Sequence, residues 1–351
     1  MSSDKKLRVG IIGVGIGQAH INGYKKATGG EVVALCDLNT ERAEQVKNET
    51  GLENARIFAD HQTMLKELEL DAVSVCLPNK FHAPVAIDAL NAGKHVLCEK
   101  PLAMSAQEGQ QIADAAAKTG NNCMVGQVNR FRADSQYLKK QIAAGELGNI
   151  YYAHTGWLRK RGIPGYGGWF TTKELSGGGP LIDIGVHMLD IAWWLCGSPK
   201  PIAVTGVTYG EFGPHKRGLG GWGTHNLDGT FNVEDLAVGI IRFEGGLTIN
   251  LEVSWALNIR KERQWCQIFG NQGGAEWGDV AIVREQDSVV STLTPELPNA
   301  DPWQGQIQHF IDSIQNGTIP DPDVNQGVQM MKMLDGIYES AKSGKEVVIA
   351  Q

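Results

Sequence analysis

Two short stretches of this chain combine side chains able to move protons with backbone signals that would hold them. The first is Glu99-Lys100-Pro101, directly after the apolar run His95-Val96-Leu97-Cys98. Proline disfavours helical geometry in the residue before it, so Lys100 can project its amine from a strand end. The alternative is a salt-bridged loop pair. The second is Ser176-Gly177-Gly178-Gly179-Pro180-Leu181-Ile182-Asp183-Ile184-Gly185-Val186-His187-Met188-Leu189-Asp190. Proline just inside a glycine run signals a helix start. Asp183 and His187 stand four apart and so share one helical face. An imidazole beside a carboxylate can accept a proton while its partner orients it. The competing reading makes Asp183 a partner of the helix dipole and His187 a core histidine among Leu181, Leu189 and Trp194.

A third stretch reads as a binding turn. Leu7-Arg8-Val9-Gly10-Ile11-Ile12 is a short strand, Gly13-Val14-Gly15-Ile16-Gly17 a glycine turn, and Gln18-Ala19-His20-Ile21 opens a helix. A second apolar run, Val32 to Cys36, ends on Asp37. Strand, glycine turn, helix, strand and acid are what a dinucleotide requires. The glycines admit the pyrophosphate, the helix N-terminus supplies amide donors, and the acid binds a ribose. The third glycine stands at 17, whereas the usual fingerprint would put it at 18, occupied here by Gln18. Gly17 is expected to start the helix one residue early, with Ala19 giving the close helix–strand contact. A carboxylate at 37 suits the free diol of NAD and repels the 2′-phosphate of NADP, so NAD is the expected cofactor. Arg42, among Glu41 and Glu44, reads as an exposed helix charge.

The elements that must position these residues divide into two grammars. From Lys6 to about Gly126, short apolar strands alternate with helices, including Ala72–Leu77, Pro84–Ala92, His95–Cys98, Ala106–Lys118 and Asn122–Val125. That alternation predicts an α/β, doubly wound parallel sheet over residues 1–126. After it come a helix from Arg132 to Ala144, a strand from Ile150 to Leu158 and a helix from Leu181 to Leu195. Strands then follow without intervening helices: Ile202–Tyr209, Leu236–Phe243, Leu247–Trp255, Gln264–Phe269 and Val280–Arg284. Glu244-Gly245-Gly246 reads as a hairpin turn. Residues 127–351 are therefore expected to form an α+β domain with a large, mainly antiparallel open sheet. The helices Trp303–Asn316 and Val324–Ser343 close the chain. The irregular stretch Gly210 to Asn232 holds seven glycines, and a loop that long is expected to be functional or to meet another subunit.

Composition narrows the classes. The 351 residues suit two domains, and the formal net charge of −7 comes without a basic block. Nucleic acid and anionic membrane surfaces are therefore not expected partners. No apolar run approaches membrane-spanning length, and no secretory leader is expected ahead of the first strand. The six cysteines, scattered without CxxC spacing, read as buried thiols of a reducing cytoplasm, with no disulfide framework and no metal site.

Taken together, Gly13-Val-Gly-Ile-Gly17, Asp37, Pro78-Asn79-Lys-Phe-His82, Gly93-Lys-His-Val-Leu-Cys-Glu99-Lys100-Pro101 and Gly177-Gly-Gly-Pro-Leu-Ile-Asp183-Ile-Gly-Val-His187 resemble the glucose–fructose oxidoreductase / inositol dehydrogenase family. The resemblance covers nearly the whole chain. It implies hydride transfer between nicotinamide and a secondary alcohol of a sugar, sugar derivative or inositol-like polyol, with Lys100, Asp183 and His187 as the catalytic set. His187 would accept the hydroxyl proton, Lys100 would stabilise charge on the same oxygen, and Asp183 would fix the ring or bind a neighbouring hydroxyl. Gly13, Gly15, Ile16, Gly17, Asp37, Leu77, Pro78, Asn79, His82, Glu99 and Lys100 are the expected cofactor contacts. Gln127, Asn129 and Arg130 follow the last parallel strand and, with Tyr166 and Trp169, are expected beside the substrate along with Lys100, Asp183 and His187. Trp157, Trp255, Trp265 and Trp277 are expected to fill a sheet face. A homodimer or homotetramer formed through the second-domain sheet is expected from the family. Two rivals remain at this stage: a glycoside-cleaving enzyme that oxidises C3 transiently with tightly held NAD, and a nucleotide-sensing protein without turnover.

Overall fold

The computed structural model describes residues 6–350. Its first unit follows the βα alternation. In chain order it comprises β1 (Leu7–Ile12), α1 (Gly17–Lys26), β2 (Gly30–Cys36), α2 (Thr40–Thr50), β3 (Arg56–Phe58), α3 (His61–Glu67), β4 (Ala72–Val75), α4 (His82–Asn91), β5 (His95–Glu99), α5 (Ala106–Thr119) and β6 (Cys123–Gly126). The strands form a six-stranded sheet in the order β3-β2-β1-β4-β5-β6, with every adjacent pair parallel. Parallel sheets are covered on both faces, and β4 is accordingly buried at each of its residues. Helix starts follow local chemistry. The Ser105 hydroxyl accepts from Glu108 N at 3.2 Å, while the Glu108 carboxylate reaches back to Met104 N at 3.1 Å. This is a capping box displaced by one residue.

The second unit opens with α6 (Ala133–Ala143), β7 (Ile150–Leu158), α7 (Lys173–Ser176) and α8 (Val186–Leu195). β8 (Pro201–Tyr209), β9 (Leu236–Phe243), β10 (Thr248–Ser254), β11 (Arg263–Gly270), β12 (Gly273–Trp277), β13 (Ala281–Gln286) and β14 (Val289–Leu293) follow. The chain ends with α9 (Pro302–Asn316), α10 (Val324–Ser343) and β15 (Val347–Val348). The second sheet has nine strands in the order β14-β13-β12-β11-β7-β10-β9-β8-β15. All its neighbours are antiparallel except β7 and β10. The β9–β10 hairpin turns at Glu244–Gly246, where Gly245 and Gly246 take φ of 80° and 88°.

The compact units are residues 1–131 with 300–328, and residues 132–299 with 329–351. The parallel-sheet unit thus runs past the expected boundary at 126 and takes α9 back from the expected 127–351 domain. The reason is packing. Ile307, Phe310 and Ile311 of α9 join Val9, Ile11, Ile21 and Leu35 in one core. Gly23 on α1 and Gly30 on β2 leave room for them, since a Cβ at either would come within 2.8 and 2.9 Å of Ile307 and Ile311.

In the second unit α8 lies buried beneath the sheet, and Ile337 of α10 packs where Gly206 and Gly239 omit a side chain. The long segment from 210 to 232 is zipped onto residues 163–171. Ile163 pairs with Leu219 and Gly167 with Thr230, and Tyr166 O accepts from Asn226 N at 2.7 Å.

Candidate active site

The glycine turn is closed on its inner side and open on its outer side. Gly13 holds φ of 91°, and a Cβ there would stand 2.3 Å from the Cys76 carbonyl. A Cβ at Gly15 would meet nothing within 4 Å. Gly17 stands close to β1, because a Cβ there would press Ile11 at 2.8 Å. α1 starts at Gly17 with no capping side chain from Ile16 and no acid in its first turn. Asp37 accepts from Val14 N at 3.0 Å through one oxygen and from Asn39 N at 2.9 Å through the other, so the acid also fixes the turn. An open cradle, an uncapped helix start and a nearby carboxylate fit a dinucleotide.

β5 ends in Glu99, and Lys100 follows, half-buried, with a cis bond to Pro101. Glu99 is buried, yet its carboxyl is held below the usual range. Burial opposes the charge, but His20 at 2.9 Å, with Lys100 and His82 nearby, outweighs it. Its second oxygen accepts from Lys100 N at 3.2 Å. His20 is a contributor the sequence reading passed over; a histidine one turn into the helix after a glycine turn was the available signal. His82, expected to touch the cofactor, is buried. Its two ring nitrogens lie 2.7 Å from the carbonyls of Pro101 and Leu77, and burial lowers its pKa. A neutral ring donates to one of these two carbonyls, which ties the ends of the two loops together. Leu77 and Pro78 are half-buried at the strand end, and Asn79 is buried in the 3₁₀ turn that follows.

In the second unit the expected single helix begins as a π turn over Leu181–Gly185, with Val186 N bonded to Leu181 O, before continuing as α8. π turns are rare and concentrate at functional sites. From Leu181 to Leu195 every residue is buried except Asp183 and His187. Trp255, expected as a packing residue, is wholly buried and donates its indole N–H to Asp183 Oδ2 at 2.9 Å. Arg159 lies over the Trp157 ring at 4.3 Å. Burial lowers the Arg159 pKa, against the attraction of Asp183 and Glu262. Glu234 accepts from Gly179 N, Leu181 N and Tyr338 Oη at 3.0, 3.1 and 2.8 Å. Burial pushes its carboxyl upward against those donors.

The expected substrate contacts fare unequally. Arg130 is 1% exposed, and its guanidinium Nη1 meets Asp321 and Gln326 at 2.6 Å each. It braces the first unit internally through these two contacts. Gln127 is buried with its Oε1 lacking a protein partner among the described residues, whereas Asn129 is half-buried. Tyr166 is buried and stacked on Phe231 at 5.3 Å. Trp169 is half-buried and lies 3.7 Å from Phe170, which meets Trp222 edge-on. Among the described residues, no group of three or more His, Cys, Asp or Glu is placed to hold a metal ion. No described helix is long and apolar enough to cross a membrane.

Residues 7–127 match the description "Oxidoreductase family, NAD-binding Rossmann fold", and residues 135–276 match "GFO/IDH/MocA C-terminal domain". The chain is 36% identical over 345 residues to a D-glucoside 3-dehydrogenase of Escherichia coli (strain K12), covering 97% of each. It is 31% identical over 356 residues to an inositol 2-dehydrogenase of Salmonella typhimurium, covering 98% of this chain and 96% of that one. Among solved structures, levoglucosan dehydrogenase in complex with NADH and levoglucosan superposes with a TM-score of 0.87 at 25% identity, covering 99% of this chain and all of that one. With both halves matched in order and a relative aligned end to end, the chain belongs to the GFO/IDH/MocA family of oxidoreductases, whose N-terminal part is an NAD-binding Rossmann fold.

Proposed function

We propose that this protein is an NAD-dependent dehydrogenase oxidising a secondary alcohol of a sugar, sugar derivative or inositol-like polyol. The observation that carries the reading is the pair Asp183 and His187. They alone keep solvent access in an otherwise buried helical run, and Trp255 orients the carboxylate. An acid–base pair exposed from a buried helix is costly unless used, because ionisable groups lose hydration there. The names of the relatives, a glucoside and an inositol dehydrogenase, support the substrate class.

When bound, NAD supplies the hydride acceptor. His187 accepts the hydroxyl proton. Its Nδ1 is buried, so Nε2 is the atom assigned to that task. Asp183 fixes the imidazole or binds a neighbouring hydroxyl, and Lys100 donates to the reacting oxygen and stabilises charge developing there. Gly13, Gly15, Ile16, Gly17 and Asp37 hold the cofactor, with Leu77, Pro78, Asn79, Glu99 and Lys100 beside it. Gln127, Asn129, Tyr166 and Trp169 are the remaining substrate contacts in this reading. A second copy of the chain is proposed to cover the outer face of the nine-stranded sheet, where Val207, Tyr209 and Ile240 are exposed.

The test is NADH formation at 340 nm from NAD⁺ and a panel of D-glucosides, D-xylose and inositols. At least one should turn over. Lys100→Ala and His187→Ala should each lower kcat about 10²–10⁴-fold while NAD binding persists. Glycoside cleavage without net NADH, or silence across the panel with NAD bound, would overturn the dehydrogenase reading.

A further inference from the structure

The run Gly177-Gly178-Gly179-Pro180 is followed at once by the turn carrying Asp183, and an element distant in sequence grips that start. Glu234 Oε2 accepts from Gly179 N at 3.0 Å, and its Oε1 accepts from Leu181 N at 3.1 Å. Pro180 between them has no N–H, so a single carboxylate takes both amides available here. Tyr338 of α10 donates its hydroxyl to the same Oε1 at 2.8 Å. The glycines are required by this grip. A Cβ at Gly178 would stand 1.9 Å from Tyr338 Oη, and one at Gly179 would stand 2.0 Å from the Glu234 carbonyl oxygen. The first helical bond, Asp183 N to Gly179 O at 3.0 Å, is built directly on the gripped residue.

The neighbouring residue reaches the same aspartate from its other end. The Asp235 carbonyl accepts from Trp255 N at 2.9 Å, and the Trp255 indole donates to Asp183 Oδ2 at 2.9 Å. The Asp235 carboxylate gathers the amides of Glu211, Phe212 and Gly213 at 3.2, 2.7 and 2.9 Å, fixing the entry to the glycine-rich segment. Two consecutive residues thus hold the turn that carries Asp183, at Gly179 and Leu181, and the backbone of the tryptophan that donates to its carboxylate. Asp183 lies within the π turn over Leu181–Gly185, and His187 follows in the first turn of α8; π turns are rare.

We propose that Glu234, with Tyr338, is a positioning residue for the acid–base pair that sets the start of the catalytic helix, while the main-chain carbonyl next to it in sequence holds the backbone of the tryptophan whose indole orients Asp183. This rests on the roles proposed above for Asp183 and His187. It makes Glu234 and Tyr338 matter for turnover although neither touches substrate or cofactor.

Glu234→Gln keeps the volume but turns an NH₂ toward an amide donor, and Tyr338→Phe removes only the hydroxyl. The measurements are steady-state kinetics on whichever sugar the wild-type protein oxidises, NADH binding by fluorescence, and thermal unfolding, with His187→Ala as control. The expected result is a kcat about 10- to 100-fold lower in Glu234→Gln and about 3- to 10-fold lower in Tyr338→Phe. The double variant should fall no further than Glu234→Gln, and NADH affinity should stay within twofold throughout. The proposal is overturned if Glu234→Gln keeps kcat within twofold while His187→Ala abolishes turnover. It is also overturned if NADH affinity falls in step with kcat, which would indicate general damage. Should Glu234→Gln be insoluble, Tyr338→Phe decides by the same criteria. Turnover surviving in His187→Ala would instead remove the acid–base reading itself, and this proposal with it.

Discussion

Asp37 accepts from Val14 N through one carboxylate oxygen and from Asn39 N through the other, so it shapes the turn, and in the function proposed above its remaining lone pairs would meet a ribose. Hydrogen bonds to a charged group are worth about 1.5–3 kcal/mol, and about 1.4 kcal/mol is tenfold in affinity. Asp37→Ala should therefore raise the Kd for NAD at least about tenfold and increase the NADP-to-NAD affinity ratio; isothermal titration with both cofactors checks this, and an unchanged ratio would refute it. Arg130 is the opposite case, a cation whose work is internal. Removing one partner of a buried pair costs about 3–5 kcal/mol, and the lower end applies because Asp321 is 47% exposed. Arg130→Met should lower stability by about 3 kcal/mol in denaturant titration and leave the sugar KM unchanged. Glu99 has the depressed carboxyl, so its stabilising contribution is present above the ordinary carboxyl range and is lost as pH falls through its lowered value. The stability difference between wild type and Glu99→Gln should accordingly shrink as pH falls below about pH 4, the ordinary glutamate range.

At the scale of elements, the three glycines of the first turn separate into different tasks. Gly15→Ala adds a methyl where nothing stands within 4 Å, whereas Gly17→Ala drives one into Ile11 at 2.8 Å. Overpacking costs about 1–3 kcal/mol, so Gly17→Ala should lower the unfolding midpoint. Gly15→Ala should leave stability unchanged and weaken NAD binding instead; equal effects of both on stability would remove the distinction. The βα alternation, the β9–β10 hairpin and the helix after Pro180 were legible because period and punctuation are local. Others were not. β12 begins Gly273-Gly274, β14 is exposed at every residue, and β3 spans only Arg56–Phe58, so each lacks the apolar run that marks a strand. α9 was recognised as a helix, but its membership of the first unit depends on the Gly23 and Gly30 gaps that admit Ile307 and Ile311. In the site, residue types at fixed spacing were readable, whereas their partners were not. Trp255 to Asp183 and His20 to Glu99 are bonds across 72 and 79 residues, and periodicity does not report such distances. The carbonyls of Pro101 and Leu77 beside His82 were equally out of reach of sequence pattern, since each follows a different strand.

At the scale of the whole molecule, β8 and β9 of the nine-stranded sheet bury alternate residues and expose the others. Ile337 fills the space over Gly206 and Gly239 on the buried side. On the other, Val207, Tyr209 and Ile240 are 42–46% exposed, and Tyr152 stacks on Phe269. β8 and β9 pair with Thr205 opposite Ile240 and Val207 opposite Val238, so these side chains form one continuous patch. An antiparallel sheet can face water on one side, but that side then alternates to polar residues, and this one does not do so over β8 and β9. Exposed apolar patches of this kind mark association surfaces, and a self-complementary patch closes most simply as a two-fold dimer. The wild-type protein should therefore sediment as a dimer or larger. A charge placed at the centre of such a patch must be desolvated on association, so Ile240→Glu should shift the assembly to monomer at micromolar concentration. Because Ile240 points away from the helix-covered side, the monomer should keep NADH affinity. A wild-type protein that sediments as a monomer, or an Ile240→Glu variant that stays fully assembled, would show that another surface, or none, joins the subunits.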